Sequence, residues 1–165
     1  MGLEAFIAVL REYGILLLAD IRTVPRSRTN PQYNLDSLPA ALAAEGISYR
    51  HFPRLGGLKG RRKDQPGGAA PNTARRNTSF RNYADYALTP PFTEGLDELM
   101  AVVPAPKASM CAEAVWWRCH RRIVSDYLLL RGVPVLDTIP PNPPTPHEMT
   151  PFAHSQSDGA IHYAE

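Results

Sequence analysis

Ile15-Leu-Leu-Leu-Ala-Asp-Ile21 is an apolar run of strand length in which Asp20 is the single polar residue. A strand that is apolar on both faces is typical of a parallel sheet covered by helices on both sides. Before it, Leu3, Phe6, Ile7 and Leu10 recur at helical spacing. This spacing predicts an amphipathic helix that ends near Gly14, followed directly by the strand.

The rest of the chain continues the alternation of helices and strands. Helices are predicted over residues 36–46, 80–88, 93–103 and 119–131, and strands over 47–52, 109–112 and 133–139. This order predicts an α/β fold with three layers, in which one mostly parallel, Rossmann-like sheet contains all four strands. We expect a single α/β domain over residues 1–139, with a basic Gly/Pro-rich insertion. A Pro-rich C-terminal extension, residues 140–165, either packs on that domain or trails from it.

Length and composition exclude some classes of protein. The 165 residues include no stretch of about 20 apolar residues, as a membrane span needs, and no basic-then-apolar signal segment opens the sequence. Two cysteines do not make a disulfide framework, so we expect free thiols. A cytoplasmic protein without a membrane partner is predicted, and the oligomeric state stays open.

The formal net charge of +2 hides an asymmetry. Residues 50–81 contain nine Lys or Arg and a single acid, Asp64, whereas the remainder is acidic. A basic segment with Arg61, Arg62 and Lys63 at its centre is suited to phosphate-rich partners. A solvated loop whose charge keeps it in solution is the equally weighted alternative.

Chemistry is concentrated in Cys111-Ala-Glu-Ala-Val-Trp-Trp-Arg-Cys-His-Arg121. The segment joins a predicted strand to a predicted helix, and open α/β sheets bind ligands at the carboxyl ends of strands. Cys111 and Glu113 are two residues apart and would share one face of the strand. Cys119 would lie at the helix N-terminus, where backbone N–H groups and arginines lower a thiol pKa.

Two alternatives remain open for these cysteines. Six residues lie between Cys111 and Arg118. The segment resembles the loop of rhodaneses and cysteine phosphatases, in which five residues separate the cysteine from the arginine. No cofactor is predicted, but zinc bound by Cys111, Cys119 and His120, with His51 or His147, is possible. The long Cys–Cys spacing and the adjacency of Cys119 and His120 argue against zinc.

Asp20 and Arg22 end the first strand and are expected near the same crevice, with Arg26 in the following loop. They form either an ion pair that ties down the loop or a second wall of a polar pocket. In the pocket interpretation, Asp20, Glu113 and His120 are the general acid–base candidates.

Several motifs, taken together and in order, resemble a known family. They are Asp20-Ile-Arg22 with Pro25 and Ser27, Phe52-Pro-Arg-Leu-Gly-Gly57, Phe80 with Tyr83-Ala-Asp-Tyr86, the cysteine segment, and His147 with Thr150-Pro-Phe-Ala153. From about residue 3 to the C-terminus the chain is similar to the DUF488 family of bacterial and archaeal proteins. The resemblance implies a small α/β domain and no established reaction.

One departure from the family pattern concerns the start of the chain. Members usually begin with a further strand ending in a Gly-His-Ser type of turn, whereas Met1-Gly-Leu3 leads directly into the first helix. Either the start is truncated or the sheet closes without that strand. If the turn belongs to the active site, this chain would fold without being active.

The sequence favours a protein that binds or processes a nucleotide or nucleic acid. A non-catalytic nucleic-acid-binding or adaptor module and a thiol-dependent enzyme of sulfur transfer or redox type are the alternatives. The predicted catalytic residues are Asp20, Glu113, Cys119 and His120, and the predicted anion-binding residues are Arg22, Arg26, Arg118 and Arg121, with Arg61, Arg62 and Lys63 on the basic segment.

Overall fold

A three-stranded parallel sheet organises the protein, whose computed structural model describes residues 1–60, 71–73, 78–113 and 115–165. The strand β1, Leu17–Asp20, lies between β2, Ser48–His51, and β3, Lys107–Met110. Asp20 is in register with both His51 and Met110. The three carboxyl ends therefore meet at one edge of the sheet, as the sequence predicts.

Five α-helices accompany the sheet in the described ranges. They are α1, Leu3–Glu12, α2, Leu38–Ala43, α3, Thr78–Tyr86, α4, Pro90–Ala101, and α5, Arg121–Leu130. All five lie where helical spacing predicts them. The predicted helix stops Gly14 and Gly132 have φ angles of 64° and 78°, a left-handed conformation that glycine adopts without strain.

The side chains of β1 alternate between two apolar clusters. Leu18 packs with Leu10 of α1 and with Leu38 and Leu42 of α2. On the other face, a larger cluster joins β1 to α3, α4 and α5; it contains Leu17, Ala19, Ile21, Tyr83, Phe92, Leu96, Ile123 and Tyr127. Helices thus cover both faces of the sheet, which confirms the α/β class and explains why the β1 run is apolar throughout.

The prediction of a fourth strand in the parallel sheet is wrong. In the segment 133–139 only β4, Leu136–Asp137, is a strand, and it pairs antiparallel with β5, Thr145–Pro146. Pro134 has no N–H for a ladder, and Leu136 is 62% exposed, so this segment has neither the hydrogen bonds nor the burial of an inner strand.

The C-terminal segment packs on the domain. A second antiparallel hairpin joins β6, Ala153–Ser155, to β7, Ile161–Tyr163. Phe152, Ile161 and Tyr163 belong to the same apolar cluster as α3, α4 and α5. The division of the chain at residue 139 stays a prediction. No helix in the described ranges is long and apolar enough to cross a membrane.

Candidate functional site

Cys111 and Cys119 form a close pair of free thiols, with 2.6 Å between their Sγ atoms. Cys111 follows β3 directly, and Cys119 lies two residues before α5. A short 3-10 helix, Trp116–Arg118, returns the chain between them. The Cys119 residue is only 9% exposed, whereas Cys111 is half-buried. The two thiols therefore lie at the carboxyl edge of the sheet where the sequence predicts a site.

The surroundings of Cys119 stabilise a thiolate. Its Sγ accepts hydrogen bonds from Arg121, from the backbone N–H at 3.2 Å and from Nε at 3.3 Å. The hydrogen bond from Cys111 lowers the pKa of Cys119 most; burial opposes it, and the hydrogen bond and charge of His120 and the charge of Arg121 add to it. The pKa of Cys119 thus lies well below its ordinary value, in the direction that a helix N-terminus favours.

Cys111 has the opposite tendency. Its hydrogen bond to Cys119 raises the pKa of Cys111 most, and burial and the negative charge of Cys119 raise it further. Cys111 therefore keeps its proton and donates it toward the Cys119 thiolate. The backbone N–H of Glu113 donates to Cys111 Sγ at 3.3 Å. One thiol is thus prepared as a nucleophile and the other as its proton-bearing neighbour.

His120 is oriented toward Cys119 by a backbone carbonyl. Its Nε2 lies 2.8 Å from the carbonyl oxygen of Ile21, and because a carbonyl only accepts, Nε2 carries a proton. Nδ1 then faces Cys119 Sγ at 3.7 Å. The Tyr83 ring packs beside the imidazole, with ring centroids 5.0 Å apart. In the neutral ring Nδ1 has a free lone pair, so it can accept the proton of the Cys119 thiol.

Gly57 makes room for this imidazole. A Cβ atom at Gly57 would lie 2.3 Å from His120 Nδ1, far inside van der Waals contact. The same loop is held by the N–H of Leu58, which donates to Thr23 Oγ1 at 2.8 Å. Sequence reasoning missed Gly57 as a site residue. The Gly56–Gly57 pair is the local sequence feature that could have indicated this role, because the contact with His120 joins residues that are far apart in the sequence.

We expect Gly57→Ala to displace His120 and to lower the thiolate fraction of Cys119. The added methyl must push the imidazole away from Nδ1–Sγ contact or shift the loop. Thiol alkylation rates measured from pH 3 to 9 should show an apparent pKa raised by about one unit, because a hydrogen bond to the thiolate is lost. Gly60→Ala is the matched control, since nothing lies within 4 Å of its Cβ position. An unchanged pH profile in Gly57→Ala would contradict a role for His120.

Asp20 and Arg22 form a buried ion pair. Arg22 donates to both carboxylate oxygens of Asp20, from Nε at 2.9 Å and Nη2 at 2.7 Å, and its N–H donates at 3.1 Å. Tyr49 Oη donates to the same carboxylate at 2.5 Å. Burial, then this hydrogen bond and the charge of Asp20, raise the pKa of Tyr49. The Asp20 carboxylate is fully engaged and fully buried, so it has no access to a substrate.

The structure does not bring Asp20 into the thiol cluster. Asp20 lies two residues after Leu18 and therefore on the same face of β1. It contacts Tyr49, which packs on the apolar cluster of α1 and α2. Cys111 packs on the opposite cluster, with α3 to α5. His51 also helps to hold this edge, since its Nε2 lies 2.7 Å from the Arg22 carbonyl oxygen. The geometry therefore favours the alternative in which Asp20 and Arg22 tie down the loop.

The other predicted residues take varied positions. Strand β3 ends at Met110, so Cys111 and Glu113 lie in the loop and do not share a strand face. Glu113 contributes its backbone to the thiols, while the residue is exposed. Arg26 and Arg118 are exposed. Arg61, Arg62 and Lys63 lie outside the described residues.

A metal ion is the other chemical possibility at the thiols. One ligand atom each of Cys111, Cys119 and His120 lies within 4.8 Å of the others. The further candidates are used elsewhere: His51 contacts the Arg22 carbonyl, and His147 lies between Asp126 and Asp137. Two thiolates on tetrahedral zinc are about 3.8 Å apart, given Zn–S bonds of about 2.3 Å. The sulfurs would have to separate by more than 1 Å to bind zinc together.

Comparison with known proteins identifies the family. The family model described as "Domain of unknown function DUF488" matches residues 2–128. The chain belongs to the DUF488 family. No curated protein and no solved structure matches it significantly.

The DUF488 match covers the sheet and the thiol cluster. It includes β1 to β3, α1 to α4 and most of α5. His147 and the Thr150–Ala153 part of the predicted motif series lie beyond the matched range. Because the description of DUF488 names no reaction, a function has to be argued from the geometry of the site itself.

Proposed function

We propose that this DUF488 protein is a thiol-dependent redox enzyme in which Cys119 and Cys111 alternate between a dithiol and a disulfide. The 2.6 Å between the two sulfurs carries the proposal. It is closer to the S–S bond length of about 2.05 Å than to the spacing of two zinc ligands. Of the alternatives raised by the sequence, the thiol enzyme therefore has the strongest support.

The reaction would proceed by two thiol–disulfide exchanges. The Cys119 thiolate attacks one sulfur of a substrate disulfide, and the second substrate sulfur leaves as a thiolate. Cys111 Sγ then attacks Cys119 Sγ, and its proton passes to the departing thiolate. The first half of the substrate leaves as the Cys111–Cys119 disulfide forms. Two electrons move from the dithiol to the substrate, and two molecules of an external thiol restore the dithiol and leave as their own disulfide.

The polar neighbours have separate roles in this scheme. Arg121 and the backbone N–H at the start of α5 stabilise the attacking thiolate. His120 Nδ1 holds the Cys119 proton before attack, and the Ile21 carbonyl keeps the ring in that tautomer. Cys111 stays protonated until the second step, which prevents it from competing for the substrate.

A redox titration tests the proposal. We expect equilibration in glutathione buffers of graded potential, followed by acid quenching and mass spectrometry, to show loss of two hydrogens in one step. Cys119→Ser and Cys111→Ser should each abolish that two-electron species. Cys111→Ser should instead accumulate a mixed disulfide on Cys119, since no second thiol resolves it. Protein that stays fully reduced at all potentials, with no mixed disulfide in Cys111→Ser, would refute the proposal.

Zinc binding is the second candidate, favoured by the clustering of three ligand atoms. Cys111, Cys119 and His120 would supply two thiolates and one imidazole and leave a fourth position open. Elemental analysis of protein purified without chelator decides the matter. About one zinc per chain, lost in Cys119→Ser, would establish the metal site and replace the redox proposal.

A nucleotide or nucleic-acid partner remains a prediction from charge. Its residues Arg61, Arg62 and Lys63 lie outside the described ranges, and so the support is the nine basic residues against one acid in residues 50–81. A Rossmann-like sheet, which is typical of nucleotide-binding proteins, is part of this prediction. We also propose a cytoplasmic location, where reducing thiols would regenerate the dithiol. Binding to nucleic acid should weaken with salt, with a log–log slope of about −0.7 to −0.9 per phosphate contact.

A further inference from the structure

We infer that the substrate of the dithiol is a small anionic disulfide and that Arg121 selects it. This inference rests on the proposed redox function and names its substrate class. Two features of the site carry it: the burial of the attacking sulfur and the sign of the charge beside it.

The burial of Cys119 limits the size of the substrate. Neighbouring groups enclose most of the reactive sulfur. Cys119 is 9% exposed, and its Sγ contacts Cys111, His120 and Arg121. Exchange needs the attacking sulfur to approach along the axis of the S–S bond. A disulfide within a folded protein has bulky backbone on both sides of that axis. A small molecule carries no such backbone, so the burial of Cys119 favours it over a protein disulfide.

Arg121 lies directly beside the Cys119 sulfur. Its Nε donates to Cys119 Sγ at 3.3 Å and its Nη2 donates to the Glu113 carbonyl at 2.7 Å. The guanidinium thus bridges α5 to the loop after β3. In the described part of the chain Nη1 makes no hydrogen bond, which leaves it as a donor for an incoming group. A guanidinium binds carboxylates, sulfonates and a developing thiolate.

The nearby formal charges also favour an anion. From Cys111 to Arg122 inclusive, the chain has three arginines and one acid, Glu113. Arg122 is engaged with Thr150 Oγ1 at 2.9 Å and with the Phe152 ring, whereas Arg121 contacts the Cys119 sulfur and Arg118 is exposed. An anionic substrate is attracted to this side, and a cationic one is repelled from Arg121 as it approaches Cys119.

A series of small disulfides that differ in charge tests the inference. Dithiodiglycolate is an anion, bis(2-hydroxyethyl) disulfide is neutral and cystamine is a cation, while insulin serves as a protein disulfide. With each rate divided by that of the same disulfide with a free small thiol, which removes the differences in leaving-group pKa, we expect the anion to oxidise the dithiol about tenfold faster than cystamine at low salt, with the ratio shrinking as salt rises. Insulin should react more slowly than any of the three. The readout is stopped-flow oxidation of fully reduced protein.

Substitution of Arg121 isolates the charge effect. Arg121→Gln removes the positive charge beside Cys119, so the anion-to-cation ratio should fall toward one. Arg121→Lys should keep most of the ratio. Arg11→Gln, at an exposed arginine on α1, is the matched control and should keep the ratio of the wild type.

Two kinds of failure are distinguishable in this experiment. If cystamine or insulin reacts as fast as dithiodiglycolate, or if the ratio is unchanged in Arg121→Gln, the substrate inference is overturned while the redox proposal stands. If no disulfide oxidises the protein, the redox proposal itself fails, and the substrate inference fails with it.

Discussion

Replacing Cys119 with serine should lower the rate of thiol alkylation at pH 6 by about 100-fold, because a thiol of ordinary pKa near 8.5 is then less than about 1% ionised. Only Cys111 remains in that variant, and its sulfur lacks the arginine and imidazole contacts of Cys119. In Cys111→Ser, by contrast, Cys119 keeps those contacts and should still react rapidly. Iodoacetamide labelling followed by mass spectrometry measures both rates.

A second substitution at position 111 separates the contribution of its hydrogen bond. Serine retains a hydroxyl that can donate to the Cys119 thiolate, whereas Cys111→Ala removes the donor. We therefore expect the apparent pKa of Cys119 to be higher in Cys111→Ala than in Cys111→Ser. Equal and slow labelling in Cys111→Ser and Cys119→Ser would instead show that both cysteines are buried core residues without a reactive thiolate.

The sequence predicts the main sheet well because the signals for its strands and helices are local. The continuous apolar run of β1 is typical of a strand that is buried on both faces, and helical spacing with a terminal glycine marks where α1 and α5 end. The segment 133–139 carries a similar apolar pattern but contains Pro134, and the wrong prediction follows from giving apolarity more weight than the missing N–H.

The site is predicted less completely because its contacts are not local. The helix start identifies Cys119 as the activated thiol, but the spacing of eight residues to Cys111 does not predict that their sulfurs approach within 2.6 Å. The contact of Gly57 with His120 joins residues that are far apart in the sequence. Asp20 was expected to face the same pocket, and when both faces of a strand are buried the pattern does not tell which face a polar residue takes.

A second buried polar cluster attaches the C-terminal segment to α5. His147 Nδ1 lies 2.8 Å from Asp137 Oδ2, and Nε2 lies 2.9 Å from Asp126 Oδ1. Asp126 also accepts from the Thr150 N–H at 3.1 Å and from Tyr163 Oη at 2.9 Å. The cluster thus joins α5, β4 and β7, and its loss should weaken the packing of the whole segment.

The charge on His147 makes this attachment depend on pH. Burial lowers the pKa of His147, but the hydrogen bonds and negative charges of Asp126 and Asp137 outweigh it and raise the pKa to about 9. The pKa in the unfolded chain is about 6.5. A raised folded pKa gives stabilisation that is complete below about pH 6.5 and is lost as pH rises toward 9.

We expect the free energy of unfolding to fall by on the order of 3 kcal/mol between pH 6.5 and pH 9.5, at about 1.36 kcal/mol for each unit of pKa shift. Urea unfolding at a series of pH values measures this change. His147→Gln should be less stable at pH 6.5 and should lose most of the slope. Subtracting its curve from that of the wild type removes the contribution of the cysteines, whose thiols in the unfolded chain titrate at about pH 8.5.

Asp126→Asn should lower the free energy of unfolding by about 3–5 kcal/mol, since removing one partner of a buried ion pair leaves the other without full compensation. The matched control is Glu45→Gln, which removes the exposed ion pair between Glu45 and Arg11 at 2.9 Å. An exposed pair contributes at most about 1 kcal/mol, so this variant should unfold nearly as the wild type does. Equal, small effects of both substitutions, with no slope above pH 6.5, would mean that His147 is neutral in the folded protein. In that case the C-terminal segment would be held by the packing of Phe152, Ile161 and Tyr163 and by hydrogen bonds such as that from the Ile161 N–H to Tyr127 Oη, and its attachment to α5 would not depend on the charge of His147.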